Sequence, residues 1–232
     1  MPVLTETITF ASGSAQLAAY LARPEGAGPF PALVVIHEAY GLNDDIRGIA
    51  RRFAEIGYAA LAVDLFAGRN RAVCMFRFFG GMLTNALGHG GIQDLRAALD
   101  HLAGQPYADP ARLGAVGFCL GGNFALCLAC ADQRLKVVAP FYGMAPRPLE
   151  AVRRACPVVG SYPDPDFTTA AGRQLQAALA EYHVEHDVKI YPGATHSFFN
   201  GRPGAANAAA AADAWERLTA FFERHLAPKT AD

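Results

Sequence analysis

The sequence predicts an α/β fold in which a mostly parallel central sheet carries helices on both faces. Apolar runs and amphipathic stretches take turns along most of the 232 residues, the order that strands and helices follow in such folds. The run at 32–36 is apolar without interruption, as expected of a strand that is covered on both faces. Because hydrophobic residues make up 52% of the chain and charged residues 18%, we expect one well-buried core and a single domain over residues 1–232.

The elements begin with an antiparallel hairpin. Residues 7–10 and 16–21 alternate in polarity on either side of the turn sequence Ser-Gly-Ser at 12–14. The strands predicted after the hairpin are 32–36, 59–63, 113–116, 137–140, 157–160 and 188–191. The predicted helices are 44–56, 92–102, 121–131, 171–182 and about 208–226. Ligands of such sheets bind at the carboxyl ends of the strands.

One segment, residues 67–91, does not fit this alternation. It mixes three arginines with aromatic residues and glycines between a predicted strand and a predicted helix. Because a buried element would not carry that charge, we expect the segment to pack over the edge of the sheet near the pocket.

Composition excludes several classes of function. The net charge of −1, with acids and bases spread evenly, leaves no basic surface for nucleic acid or an anionic membrane. The N-terminus does not resemble a signal peptide and no apolar run could span a membrane, so we expect a soluble, cytoplasmic protein. Balanced charge without heptads is compatible with a monomer.

The cysteines argue against a disulfide framework and against a metal site. Five cysteines are an odd number, which favours reduced thiols. Cys127 and Cys130 form a C-x-x-C, but they lie in an apolar helix without a second ligand pair, so we expect small core residues. The sequence implies no metal and no organic cofactor.

The most informative motif is Gly117-Phe118-Cys119-Leu120-Gly121-Gly122, a G-x-C-x-G between a predicted strand and a predicted helix. This pattern is a nucleophile elbow with sulfur in place of the usual hydroxyl. Its glycines let the chain turn sharply and hold Cys119 in a strained conformation above the sheet. The N–H of Leu120 then lies at a helix N-terminus, where it faces developing negative charge.

A cysteine nucleophile needs a base, and the base needs an acid that orients it. His196 lies in the loop just after the last predicted strand, and of seven histidines only His37 also stands at the carboxyl end of a strand. The acid should follow strand 157–160, where both Asp164 and Asp166 occur. Either aspartate could be a turn residue. We prefer Asp166 as the orienting acid because it begins the segment that leads into the next predicted helix.

Glu38 directly follows the buried strand at 32–36. A glutamate at a strand end is commonly a surface residue. A carboxylate in this position can instead face the elbow and hold or accept the proton of the thiol.

Four segments together resemble the dienelactone hydrolases (carboxymethylenebutenolidases) of the α/β-hydrolase superfamily. They are 36–43 (IHEAYGLN), 62–66 (AVDLF), 117–122 (GFCLGG) and 192–198 (PGATHSF), within a resemblance that runs from about residue 5 to 226. It implies the α/β-hydrolase fold, a triad of Cys119, Asp166 and His196, and an oxyanion hole made by the N–H groups of Leu120 and Ala39. Glu38 is implied to interact with the resting thiol and to release it as thiolate when substrate binds, which limits oxidation between turnovers.

The arginines depart from the family pattern. Members that act on carboxylate-bearing lactones hold the carboxylate with arginines, one of them shortly after the catalytic histidine. Here the fourth position after that histidine is Asn200. The candidate substrate-binding arginines are Arg202, Arg69, Arg71 and Arg77. A guanidinium suits a carboxylate because it forms two charge-assisted hydrogen bonds, but each of these residues could also be a solvated surface arginine.

The sequence therefore predicts a cysteine-dependent hydrolase of the dienelactone hydrolase type. It would open a lactone or cleave a small ester through a covalent thioester. One alternative is a thioesterase or general carboxylesterase for neutral substrates, which the asparagine at position 200 favours. A second alternative is a non-catalytic protein that binds a ligand. The complete set of nucleophile, acid and base argues against it.

Overall fold

The computed structural model describes residues 1–66 and 70–228, and within them the chain forms one eight-stranded sheet. In chain order the strands are β1 (Val3–Ser12), β2 (Ala15–Pro24), β3 (Phe30–Ile36), β4 (Ala59–Val63), β5 (Ala108–Phe118), β6 (Leu135–Phe141), β7 (Val158–Asp164) and β8 (His186–Pro192). They lie side by side in the order β1-β2-β4-β3-β5-β6-β7-β8. The first two strands are antiparallel to their neighbours, and all pairs from β4 to β8 are parallel. The predicted mostly parallel sheet is confirmed.

Helices cover both faces of the sheet, as the alternation predicts. They are α1 (Asp44–Glu55), α2 (Arg71–Thr84), α3 (Gly90–Ala103), α4 (Leu120–Ala131), α5 (Thr169–Glu181) and α6 (Ala205–Leu226), with a short 3₁₀ helix at Leu149–Arg154. Helices α1 and α6 pack on one face, and the other four pack on the opposite face. Successive residues of β3 point to opposite faces of the sheet. Val34 packs on the face covered by α3, and Val35 packs on the face covered by α1. None of the described helices is long and apolar enough to cross a membrane.

Helix α2 occupies most of the segment that the alternation leaves unassigned. Asn70 caps it, because its side-chain oxygen accepts hydrogen bonds of 3.0 and 3.3 Å from two backbone N–H groups of the first turn. Phe78 is buried and packs against the rings of Phe66 and Phe124, with centroids 6.2 and 5.0 Å away. The helix thus joins the α3 face of the sheet. Residues 67–69, which include Arg69, lie outside the described residues.

The carboxyl ends of the parallel strands bring the chemically interesting residues to one edge of the sheet. Strand β3 ends just before His37 and Glu38, and β5 ends just before Cys119. Asp166 follows the end of β7, and His196 lies in the loop after β8. Because these strands run in the same direction, their ends meet along one edge, where ligands bind in such sheets.

Candidate active site

Cys119 lies on a tight turn between β5 and α4. Its backbone has φ of +53° and ψ of −114°, a conformation that residues with a side chain rarely adopt. A Cβ on Gly117 would collide with the carbonyl group of Gly121, and a Cβ on Gly121 would collide with that of Ile36. Strand and helix therefore pack so closely that only glycine fits on either side of the turn. This packing holds Cys119 at the apex of a strand–turn–helix elbow.

Two backbone N–H groups and two carboxylates influence the sulfur of Cys119. Burial is the main reason why the pKa of the Cys119 thiol rises to about 11. The N–H groups of Leu120 and Ala39 hydrogen-bond to the sulfur and oppose this rise, whereas the negative charges of Glu38 and Asp166 add to it. The thiol is therefore protonated at neutral pH.

Asp166 contacts the imidazole of His196. The Nδ1 atom of His196 is 3.2 Å from each carboxylate oxygen of Asp166. The carboxylate also accepts hydrogen bonds from the N–H and the hydroxyl of Thr168, at 2.9 and 2.5 Å. A proton on Nδ1 leaves Nε2 of His196 as the basic nitrogen. Among the described residues, no hydrogen bond joins His196 to the thiol of Cys119.

Asp164 has a different partner. It is the last residue of β7, and its carboxylate accepts a hydrogen bond of 3.2 Å from Arg173. Its side chain is 36% exposed, compared with 6% for Asp166. Of the two aspartates that the sequence left as alternatives, only Asp166 is brought to His196.

Glu38 is buried at the same edge with polar neighbours of its own. The hydroxyl of Ser197 donates a hydrogen bond of 2.5 Å to its Oε1 atom. The phenol of Tyr142 is fully buried and makes no hydrogen bond of ordinary geometry with the described residues. Burial and the nearby charge of Glu38 raise the pKa of Tyr142 well above its usual value. The carboxylate of Glu38 is thus hydrogen-bonded to Ser197, and its charge influences both the buried phenol and the thiol.

His37, the other histidine at a strand end, is held by the backbone. Its Nε2 accepts a hydrogen bond of 3.1 Å from the N–H of Leu65, and its Nδ1 is 2.6 Å from the carbonyl oxygen of Glu38. The proton is therefore on Nδ1, and burial lowers the pKa of His37. This histidine fixes the chain where β3 ends.

The candidate arginines lie in three different surroundings. The guanidinium of Arg71 lies over the rings of Tyr40 and Phe66, 5.5 and 5.9 Å from their centroids. Arg202 is exposed in the loop before α6. Its charge lowers the pKa of Tyr142, in opposition to the burial and the charge of Glu38 that raise it. Arg77 lines a separate cavity of about 310 Å³ beside the β1–β2 turn and α3, none of whose lining residues belongs to the Cys119 site.

Asn200 stands where the resemblance would have an arginine. Both polar atoms of its side-chain amide are buried and have no hydrogen-bond partner among the described residues. An asparagine carries no charge, so this position cannot supply the carboxylate-holding cation that the family pattern has there.

Three neighbours of the site were not singled out from the sequence. Tyr142 follows the end of β6, so the rule that ligands bind at strand ends could have found it. Ser197 stands next to His196, but nothing in the local sequence indicates its hydrogen bond to Glu38. Phe167 stacks on the imidazole of His196 with centroids 4.7 Å apart, and no sequence pattern predicts that contact.

The arrangement is suited to acyl transfer. A thiol on a strained turn lies beside two backbone N–H groups, and a histidine held by a buried carboxylate stands at the same edge. Among the residues that the structure describes, no group of three or more His, Cys, Asp or Glu side chains is arranged to hold a metal ion.

Comparison with known proteins identifies the family of this chain. A sequence model of the Dienelactone hydrolase family matches residues 17–226. A protein of Saccharolobus solfataricus, provisionally named carboxymethylenebutenolidase, is 33% identical over 261 residues, covering 95% of this chain and 99% of its own. A protein of Synechocystis with the same provisional name is 29% identical and covers 97% of this chain and 98% of its own.

A solved structure is similar over nearly its whole length. It is the crystal structure of a dienelactone hydrolase-like promiscuous phosphotriesterase from metagenomic libraries, 27% identical, with a TM-score of 0.84. The match covers 96% of this chain and 98% of that one. These likenesses indicate an enzyme rather than a protein that only binds a ligand. The chain therefore belongs to the dienelactone hydrolase family, has the α/β-hydrolase fold, and is a hydrolase that acts on ester bonds.

Proposed function

We propose that this hydrolase opens lactones or cleaves small carboxylic esters through a thioester on Cys119, with His196 as base and Asp166 as its orienting acid. The observation that carries the proposal is the surroundings of one sulfur. The thiol of Cys119 lies on a strained turn against two N–H groups, at the sheet edge where Asp166 holds His196 with both oxygens. A nucleophile, an oxyanion hole and an oriented base are the parts that acyl transfer requires.

The first step is removal of the thiol proton, which we assign to Glu38. The negative charge of Glu38 is one of the influences that keep the pKa of the Cys119 thiol high in the resting site. When the carboxylate takes the proton, that charge disappears, so the same transfer forms the thiolate and removes a repulsion against it. Before this transfer, the hydroxyl of Ser197 donates a hydrogen bond of 2.5 Å to the carboxylate of Glu38.

The thiolate then attacks the substrate carbonyl. The carbonyl oxygen becomes an oxyanion, which the N–H groups of Leu120 and Ala39 stabilise, and each such donor is worth about 3 kcal/mol in the transition state. The alkoxide or enolate leaves, takes a proton from solvent, and the acyl group stays on sulfur as a thioester. The proton on Glu38 returns to solvent.

Water completes the cycle with the help of His196. The Nε2 atom removes a proton from water while the oxygen attacks the thioester, and the same N–H groups hold the second oxyanion. The carboxylic acid leaves, and the sulfur departs as thiolate and recovers its proton from the imidazolium. Asp166 keeps the proton of Nδ1 in place throughout, which leaves Nε2 free for this task.

We further infer that the enzyme works alone on small molecules in a reducing, cytoplasmic setting. All five cysteines are free, and three of them are buried. Reduced thiols are the ordinary state of that compartment. The net charge of −1 offers no attraction for nucleic acid or an anionic membrane, and the same charge balance is compatible with a monomer.

Trapping the thioester tests the proposal. Incubation with p-nitrophenyl acetate followed by acid quenching should give protein that has gained one acetyl group, with the modification on the peptide that contains Cys119. Cys119→Ala should lose both the modification and hydrolysis while keeping the wild-type circular dichroism spectrum, because only the nucleophile is missing.

Cys156→Ala is the matched control, since it removes a free thiol that lies outside the site and whose pKa burial raises to about 12. It should keep the activity and the acetyl group. Acetylation elsewhere, or comparable turnover by Cys119→Ala, would remove the thioester mechanism.

A further inference from the structure

Three exposed apolar side chains stand close in sequence to residues of the candidate site. Tyr40, Met144 and Phe167, here called the mouth patch, are 61%, 43% and 71% exposed. Tyr40 follows Ala39, whose N–H contacts the sulfur, and Met144 is two residues beyond Tyr142. Each of the three thus stands one or two positions from a residue of the site and leaves apolar surface open to a ligand.

Phe167 offers the clearest contact surface within the mouth patch. Its ring stacks on the imidazole of His196 with centroids 4.7 Å apart and an angle of 26° between the planes. The stacking covers one face, and the high exposure of the side chain leaves the rest of the ring open. A flat apolar group can lie on that open part with the geometry that aromatic pairs prefer.

The position of Phe167 indicates which part of a substrate it would meet. In the proposed mechanism the carbonyl carbon is at the sulfur and its oxygen faces the two N–H groups. In the same mechanism His196 activates the water that takes the place of the leaving group, which puts the imidazole on the side where that group departs. A group stacked on Phe167 therefore belongs to the leaving alcohol.

The charges around the sulfur favour a neutral substrate. Glu38 and Asp166 are buried, and their negative charges both raise the pKa of the Cys119 thiol, so they repel a further negative charge near the sulfur. Two cations border the site, but Arg71 lies over the ring of Tyr40 and is exposed, and Arg202 is exposed in its loop. Solvent and salt screen exposed charges far more than buried ones.

We propose, on the basis of the proposed function, that the substrates are neutral esters whose leaving group is a flat apolar alcohol such as a phenol or an enol. The open ring of Phe167 receives the leaving group. The buried carboxylates, together with the uncharged Asn200, disfavour substrates that carry a carboxylate.

Two matched pairs of esters test the two parts of the proposal. The first pair is 4-carbamoylphenyl acetate and 4-carboxyphenyl acetate, which are similar in size and differ in charge. We expect kcat/KM to favour the neutral ester by about tenfold, with the preference shrinking as salt is added.

The second pair is phenyl acetate and trifluoroethyl acetate. Their ratio of kcat/KM should fall about fivefold in Phe167→Ala and stay near wild type in Phe167→Tyr, which keeps the ring. The intrinsic reactivities of the two esters cancel when this ratio is compared between variants. If Phe167 only positioned His196, kcat/KM would fall equally for both esters and their ratio would not change.

Ile56→Ala serves as the control, because Ile56 is an exposed apolar residue that is not part of the site. It should leave both ratios unchanged. Cys119-dependent turnover that favours the carboxylate ester, or an unchanged ratio in Phe167→Ala, overturns this inference while the thioester mechanism stands. If Phe167→Ala changed only the sedimentation coefficient, Phe167 would form a contact between subunits, and that result would likewise overturn the inference. Turnover that does not depend on Cys119 would instead remove the proposed function.

Discussion

Asp164 and Asp166 stand two positions apart, yet their side chains have different surroundings. A buried carboxylate must be hydrogen-bonded to remain charged. The backbone N–H and hydroxyl of Thr168, together with the Nδ1 of His196, supply such partners to Asp166. Asp164 instead meets Arg173 at the surface, where an ion pair contributes little.

This contrast predicts opposite outcomes for two conservative substitutions. Asp166→Asn removes the charge that keeps the proton on Nδ1 of His196, so kcat should fall on the order of 10³- to 10⁴-fold. Asp164→Asn should leave kcat within about twofold, because its surface pair with Arg173 contributes little. Steady-state hydrolysis of p-nitrophenyl acetate by the two variants measures this difference. Equal losses would mean that Asp166 does not orient His196.

At the scale of elements, the turn between β5 and α4 depends on close packing. The added Cβ of Gly121→Ala would meet the backbone carbonyls that end β3, and backbone cannot move aside as a flexible side chain can. We expect this substitution to lower the free energy of unfolding by about 2 kcal/mol. It should also lower turnover, since displacing α4 moves the N–H of Leu120 away from the oxyanion.

Gly90→Ala is the matched control for this element. Gly90 begins α3, and a Cβ added there would meet no atom within 4 Å. Urea unfolding monitored by circular dichroism should separate the two variants, with Gly90→Ala close to wild type. A Gly121→Ala variant as stable and active as wild type would show that the elbow can relax, contrary to this account.

The elements that the sequence predicts well are those with a local pattern. The apolar run at 32–36 and the glycines around Cys119 can each be recognised from a few neighbouring residues, because a buried strand and a tight turn require a particular local sequence. The boundaries are less accurate. Strand β5 begins at Ala108, five positions before the predicted start at 113, because its first residues include charged and partly exposed positions without an apolar run.

Other features depend on contacts that no local pattern contains. Helix α2 carries a Gly-Gly pair and several aromatic residues, which weaken a helical prediction, and its packing of Phe78 against Phe124 stabilises it instead. The choice between Asp164 and Asp166 depends on where β7 ends relative to β8. The contact between Ser197 and Glu38 joins residues 159 positions apart. Such pairs become visible only when the sheet order is known.

At the scale of the whole molecule, the acidity of one thiol is set by several distant parts of the chain. Glu38 follows β3, Asp166 follows β7, and the opposing N–H groups belong to the loop after β3 and to the start of α4. The parallel sheet gathers these groups at one edge, and their sum with burial raises the pKa of the Cys119 thiol to about 11. The thiol is therefore protonated at neutral pH, which is the form that oxidants attack slowly.

Glu38→Gln should separate the acidity of the thiol from catalysis. Removing the negative charge takes away one cause of the raised pKa, so the pKa of Cys119 should fall and the thiolate fraction at any pH below about 11 should increase. Alkylation by iodoacetamide at neutral pH should therefore become several-fold faster, after subtraction of the rate for Cys119→Ala. Ester hydrolysis should fall on the order of 10²-fold, because the acceptor of the thiol proton is missing.

A change that merely disturbed the site would slow both reactions, so opposite movements of the two rates distinguish the proposed role of Glu38 from a structural one. Glu55→Gln, at the exposed end of α1, should alter neither rate. Cys127, Cys130 and Cys156 contribute little to the measured rate, since burial raises their pKa values to about 12. Any alkylation of the other thiols, Cys74 included, is contained in the rate that is subtracted for Cys119→Ala. If alkylation of Glu38→Gln is no faster than that of the wild type, the charge of Glu38 does not restrain the thiol, and this account of its acidity is wrong.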